Sequence, residues 1–278
     1  MTPVRLSMLT LASALLLAAC GDKDDTASDT AQPPAGALGE AVRQAEATAR
    51  RTSLPTADAT RPLDSYPAIK SGQQVMFLYV AASKLPPDFD KLAEAHSRDY
   101  RQTSDAFRRS DLLKALRPQL EQGIADAVAT PYGWVELDNA DLQSYDFERK
   151  GFVVGEFSTP GGYRYFNDAS SFSYAWANHE QVAFAPVADE AVARELEAMR
   201  GNWNSKPRLR VYFFAQSADL NASRVNALVT RVRITDRSGR VLVDYGPDGS
   251  VPVQTQEAPA SGCTSVDCMA DDVMGGAL

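Results

Sequence analysis

The chain is short of the residues that most enzymes use for chemistry. It has two histidines, His96 and His179, and three cysteines, Cys20, Cys263 and Cys268, among 278 residues. Neither histidine belongs to a His-Glu-x-x-His pattern, so the usual metalloprotease zinc site is excluded. His96 lies in the polar stretch His96-Ser-Arg-Asp99, where a solvated side chain is expected, and His179 in Asn178-His179-Glu180, which reads as a turn. There is no Gly-x-Ser-x-Gly elbow and no Ser-x-x-Lys, and no glycine-rich nucleotide loop follows a strand pattern. Basic excess is also missing: 28 Lys and Arg against 36 Asp and Glu leave a net charge of −8, which argues against a nucleic-acid partner. No catalytic set, metal site or cofactor is predicted.

What is present begins at the amino terminus. Arg5 gives a short positive region, and Leu6 to Leu17 a largely apolar one, too short to cross a bilayer as a helix. The run closes on Leu17-Ala18-Ala19-Cys20, small residues leading into a cysteine. These twenty residues resemble the signal peptide and lipobox of bacterial lipoproteins. The resemblance implies a signal peptide over 1–19, a diacylglyceryl group on the sulfur of Cys20, and cleavage before that cysteine. The membrane partner is then reached through lipid on Cys20. Gly21 follows the cysteine where an aspartate would hold an enteric lipoprotein at the inner membrane. The expected location is the outer membrane, periplasmic face; Asp22, one place later, keeps the inner membrane open.

Composition divides the rest. Residues 20–65, rich in Ala, Thr, Asp, Pro and Gly, read as the lipidated cysteine and a flexible tether, with a short Ala-rich helix over 38–51. Residues 66–249 read as a single domain. Residues 250–278 carry four acids and no base and read as a disordered tail. Within that tail, Cys263 and Cys268 form a disulfide if the compartment is oxidising. Free thiols are the alternative, and so is a metal site, although two thiols without a nearby histidine make half of one.

Inside the domain the fold class is α+β, a mainly antiparallel sheet with two blocks of helices. The apolar run Gln74 to Ser83 predicts a central strand. Asp88 caps a first helix, and Ser110 a second carrying Leu112, Leu116, Leu120 and Ile124, which Pro118 should kink or split. A third covers Asp189 to Met199. Period-two patterning predicts strands over 132–137, 142–148, 151–158, 162–167, 172–177, 181–185, 207–216, 225–235 and 239–245, with turns at Lys150-Gly151, Pro160-Gly161-Gly162 and Arg237-Ser238-Gly239. Phe77-Leu-Tyr79, Phe107-Arg-Arg-Ser-Asp-Leu-Leu113 and Val211-Tyr-Phe-Phe-Ala-Gln216 resemble an uncharacterised bacterial lipoprotein family, known only as a domain of unknown function. That resemblance would span 65–246 and carries no activity.

Three constellations remain. Asp138, Asp141, Asp146, Glu148 and Glu156 cluster in sequence, and glycoside hydrolysis needs only two carboxylates. Tyr163 and Tyr165 share one strand face, while Phe172, Tyr174 and Trp176 share a face of the next. They form either sheet core or a platform for sugar rings or a peptide. Arg208, Arg210, Arg231, Arg233 and Arg240 alternate on later strands and form either a basic stripe or a face neutralised by acids such as Glu148, Glu156 or Asp244. Asp244 and Asp248 read as turn acids around Gly246-Pro247. The expectation is a lipid-anchored envelope protein with a non-enzymatic binding or structural role and an envelope protein or glycan as partner. The alternative is a glycan-binding or glycan-hydrolysing protein using hairpin 163–176 and nearby carboxylates.

Overall fold

The computed structural model describes residues 54–250. The expected signal peptide 1–19, Cys20, the tether before residue 54, the 38–51 helix and the Cys263–Cys268 pair lie outside the described residues. The described domain is α+β, built on a mainly antiparallel sheet of seven strands. β1 (Tyr132–Leu137) pairs with β6 (Arg208–Asp219), and β6 with β7 (Arg224–Thr235). β7 pairs with β4 (Ser173–Trp176), and β4 with β3 (Arg164–Tyr165). β8 (Val241–Gly246) also pairs with β7, and β9 (Gly249–Ser250) with β8. The long strand β7 thus serves two neighbours along one edge: β4 in parallel over Arg224 to Ala227, and β8 antiparallel over Val232 to Thr235. β2 (Gly151–Val153) and β5 (Phe184–Pro186) form a separate antiparallel pair.

The helices are α1 (Gly72–Ser83), α2 (Phe89–His96), α3 (Arg98–Gln102), α4 (Ala106–Ala129), α5 (Gly155–Ser158), α6 (His179–Val182) and α7 (Glu190–Arg200). The strand expected at Gln74 to Ser83 is helix α1, a correction with a local cause. Ser71 Oγ accepts from Gln74 N while the Gln74 side chain accepts from Ser71 N, a capping box. Asp168 adds a carboxylate at the same end, accepting from Gly72 N at 2.8 Å. Because Val75, Met76, Leu78 and Val80 are buried and Phe77 and Tyr79 half-buried, the run is apolar all round. Such a run fits a buried helix as well as a buried strand.

α4 begins after Asp105, whose carboxylate accepts from Arg108 N at 2.8 Å, not at Ser110. It continues unbroken through Pro118, which lies on the exposed side. α7 lies where the third helix is expected, and the Asp189 side chain caps it by accepting from Ala191 N and Val192 N. The strands expected at 142–148, 151–158 and 181–185 are largely replaced by turns and single-turn helices. Asp146 accepts from Glu148 N and Arg149 N, and only 151–153 and 184–186 stay extended.

At the Lys150-Gly151 turn the left-handed residue is Lys150, with φ of 54°. Gly151 is needed for closeness instead, since a Cβ there would sit 2.3 Å from the carbonyl oxygen of Ala185. Gly151→Ala is therefore expected to force β2 from β5 and cost about 2 kcal/mol. Thermal unfolding should show this as a fall of about 6 °C. An unchanged midpoint would mean that the pair separates freely.

The sheet has two unlike faces. Leu209, Val211, Phe213, Val225, Val229, Val232 and Ile234 are buried under the helices and form the main core. On the opposite face Tyr66, Tyr132, Tyr212 and Phe214 form a second cluster, with Ala57 and Leu63 packed on it. Residues 55–65 fall within the span expected as tether, yet they lie against the domain. Gln216 Nε2 donates to Pro55 O at 2.9 Å, and the Arg61 guanidinium sits 4.4 Å from the Tyr132 ring.

That face also carries the arginines. Arg208 Nε lies 2.9 Å from Asp138 and Arg210 2.8 Å from Glu136, while Arg231 and Arg233 grip the two oxygens of Asp244 at 2.6 and 2.9 Å. The stripe is a neutralised ladder whose acids are Glu136, Asp138 and Asp244, not Glu148 and Glu156. Asp244 is a buried strand residue, 5% exposed, and not a turn acid.

Candidate functional site

Strand order places β1 and β3 at opposite ends of the path β1-β6-β7-β4-β3. Even so, Val135, Glu136 and Leu137 line the same cavity of about 250 Å³ as Tyr163, Arg164 and Tyr165. The sheet therefore curls until its end strands face each other across a gap. Bulges in the β6–β7 ladder after Tyr212 and Ala215 add to the ordinary right-handed twist. The gap opens into a larger cleft of about 490 Å³, reached by Asp138, Asp141 and Glu156 and sharing Leu137, Arg164 and Tyr174 with the smaller cavity.

Glu156 is the innermost of these carboxylates, its side chain 9% exposed. Oε1 accepts from Trp176 Nε1 at 2.8 Å and from Arg164 Nε at 2.8 Å, and a second guanidinium nitrogen of Arg164 closes on Oε2. Hydrogen bonding to Glu156 in turn raises the pKa of Arg164. Asp141 is exposed, and its carboxylate has no partner among the described residues. It owes its place to Gly155, whose N–H donates to Asp141 O at 2.7 Å. A Cβ on Gly155 would lie 2.3 Å from Asp141 Oδ2.

The five hairpin aromatics fall into two groups. Tyr174 stacks on Phe213 with ring centroids 6.2 Å apart, Trp176 meets the same ring edge-on at 5.9 Å, and Phe172 packs on Tyr79 of α1 at 5.4 Å. All three are buried, so they cannot share an open surface with the other two. Tyr163 and Tyr165 remain 59% and 53% exposed, their rings 6.4 Å apart. The alternation of β3 that turns these tyrosines outward turns Arg164 inward, towards Tyr174 and Glu156. Arg164 is not among the residues that motif or clustering singles out, although this alternation makes it legible.

The other sequence candidates lie apart. Asp146 and Glu148 sit in the turn before β2, away from the cleft. His179 Nδ1 is 2.9 Å from the carbonyl oxygen of Phe157, which can only accept, so that nitrogen carries the proton. His96 ends α2 beside the Phe77 ring. Among the described residues no group of three or more His, Cys, Asp or Glu could hold a metal ion. No described helix is long and apolar enough to cross a membrane. The chain matches no family model, no curated protein and no solved structure.

Burial raises the hydroxyl pKa of Tyr174 beside the cleft, and that of Tyr245 beneath α6, well above the ordinary value near 10. Above about pH 10 the unfolded chain releases these protons while the folded one holds them. Stability is then fully present below that pH and should fall by about 1.4 kcal/mol per unit for each tyrosine. Denaturant titrations at rising pH check this: Tyr245→Phe should flatten the alkaline slope, and an unaltered slope would contradict the assignment.

Proposed function

We propose that this chain is a lipid-anchored protein of the bacterial cell envelope, held through Cys20, whose domain binds a partner in the cleft beside β3 and performs no catalysis there. The observation that carries the binding role is the state of Glu156. A catalytic carboxylate must exchange a proton or attack, and it needs free oxygens to do so. Both oxygens of Glu156 are engaged by Arg164, and one also by Trp176. The site left beside them, with Asp141 and the exposed tyrosines, suits recognition. Gly21 after the anchor cysteine supports the outer membrane, periplasmic face, as the location.

Two measurements test the reading together. Cys20→Ser should remove the lipid mass and release the protein from the membrane fraction, and a mature wild-type protein without lipid would refute the anchor. The purified protein should liberate no reducing ends from peptidoglycan or chitin oligosaccharides. Hydrolysis that disappears in Glu156→Gln would replace binding with the glycan-hydrolysing alternative.

A further inference from the structure

The gap between the two end strands is bounded by main chain as well as side chains. On β1, Trp134 turns its backbone groups away from β6. Its N–H donates to Pro67 O at 3.0 Å, and its carbonyl accepts from Ile69 N at 2.8 Å. By strand alternation the N–H and C=O of Glu136, two residues on, face the same way. By then the segment Pro67–Ile69 has turned off towards α1, and no described residue pairs with them. On the far side, Ser173 N donates to Ser223 O and Ala177 N to Ala227 O, so the odd-numbered residues of β4 face β7. Tyr174 then pairs with Arg164, and Tyr165 directs its own N–H and C=O out of the sheet into the gap. An unpaired sheet edge is a template for another chain, and here two such edges face one cavity.

The directions are compatible with a single added strand. Following the pairings from β1 through β6, β7 and β4, β1 and β3 run antiparallel. A segment continuing the line of Pro67–Ile69 lies parallel to β1, as the bridge Ala68–Trp134 already does, and antiparallel to β3. Charge selects its side chains. The large cleft is lined by Asp138, Asp141 and Glu156 against Arg164. With Glu156 held by Arg164 and Asp138 by Arg208, the Asp141 carboxylate is left for a ligand.

We infer that the gap between β1 and β3 receives an extended peptide segment, which adds as a strand to both open edges and sets a Lys or Arg side chain against Asp141. This inference rests on the reading of the cleft as a binding site and names the partner's chemistry. The docked strand would close the curled sheet, with Ile69 at one end of its track and Asp141 at the other.

The test uses the full-length lipidated protein in detergent and a capped peptide of alternating lysine and valine. Three comparison ligands accompany it: the same peptide N-methylated at alternate amides, a glutamate–valine version and a chitin oligosaccharide. The lysine peptide should bind and slow amide hydrogen exchange over 135–137 and 163–166. N-methylation, which leaves charge and side chains in place but removes the ladder donors, should weaken it at least about tenfold. Asp141→Asn, at an exposed side chain, should erase most of the preference over the glutamate peptide. Equal binding of the methylated peptide, or protection elsewhere, would overturn strand addition. If the oligosaccharide alone protects the cleft, the peptide inference fails and the binding role stands. If no ligand does, both fail.

Discussion

Phe213→Ala is expected to lower the stability of the domain by about 4 kcal/mol, the range for a buried phenylalanine truncated where its surroundings cannot collapse. Phe213 is 1% exposed and belongs to the central hairpin, with Tyr174 stacked on one side of it and Trp176 set against its edge. Those neighbours are held from outside the cavity that truncation would leave: Trp176 is fixed by its bond to Glu156, and Tyr174 lies opposite Arg164 in the β3–β4 pair. The neighbours cannot move in, and the void stays. A fall in melting temperature of about 12 °C, with a changed near-ultraviolet signal from Trp176, is the expected result. Phe213→Leu should lose less than half as much. A loss below about 1 kcal/mol in the alanine variant would mean that the hairpin aromatics repack and that the cleft floor is soft.

Asp244→Ala should cost about 3–5 kcal/mol, although it removes only one small side chain. The carboxylate is buried between two guanidinium groups, each roughly a quarter to a third exposed. Truncation leaves two like charges facing each other over an emptied, poorly solvated space, and breaking a buried pair from one side is the expensive way to break it. An exposed ion pair would be worth no more than about 1 kcal/mol, so urea unfolding separates the two descriptions. Replacing all three groups, Arg231→Met, Arg233→Met and Asp244→Leu, should recover most of the loss. A triple variant as unstable as the single one would place the effect in packing rather than in charge.

How much could be read from the sequence depended on the range of the interaction. Asp88 was legible as a cap because a cap bonds within three residues. The strands of the β6–β7 hairpin were legible because Leu209, Val211 and Phe213 alternate with Arg208, Arg210 and Tyr212 along one chain. α1 was misread although Ser71 and Gln74 held the capping signal, since hydrophobic continuity outweighed it. The parallel pairing of β4 with β7 has no local signature. The site was legible in its parts, with Asp138, Asp141, Glu156 and the tyrosines all singled out. Their grouping was not, because the gap depends on how far five strands curl. Likewise Asp244 sits beside Gly246-Pro247 and looks like a turn acid until its partners, on the neighbouring strand, are known.

The position of β7 also sets an order of events during synthesis. Nearly every strand of the main sheet finds its place through β6 or β7, and these lie near the end of the domain. When β1 and β4 leave the ribosome, the strands they will join, β6 and β7, do not yet exist. The first half of the domain can form helices but has no sheet on which to bury them. Once residue 235 has emerged, β6 and β7 can zip locally, and the earlier strands then close long loops, a step that slows folding more than it weakens the product. The nascent domain therefore spends most of its synthesis as open, handler-accessible chain, and folding is gated by the arrival of a single hairpin.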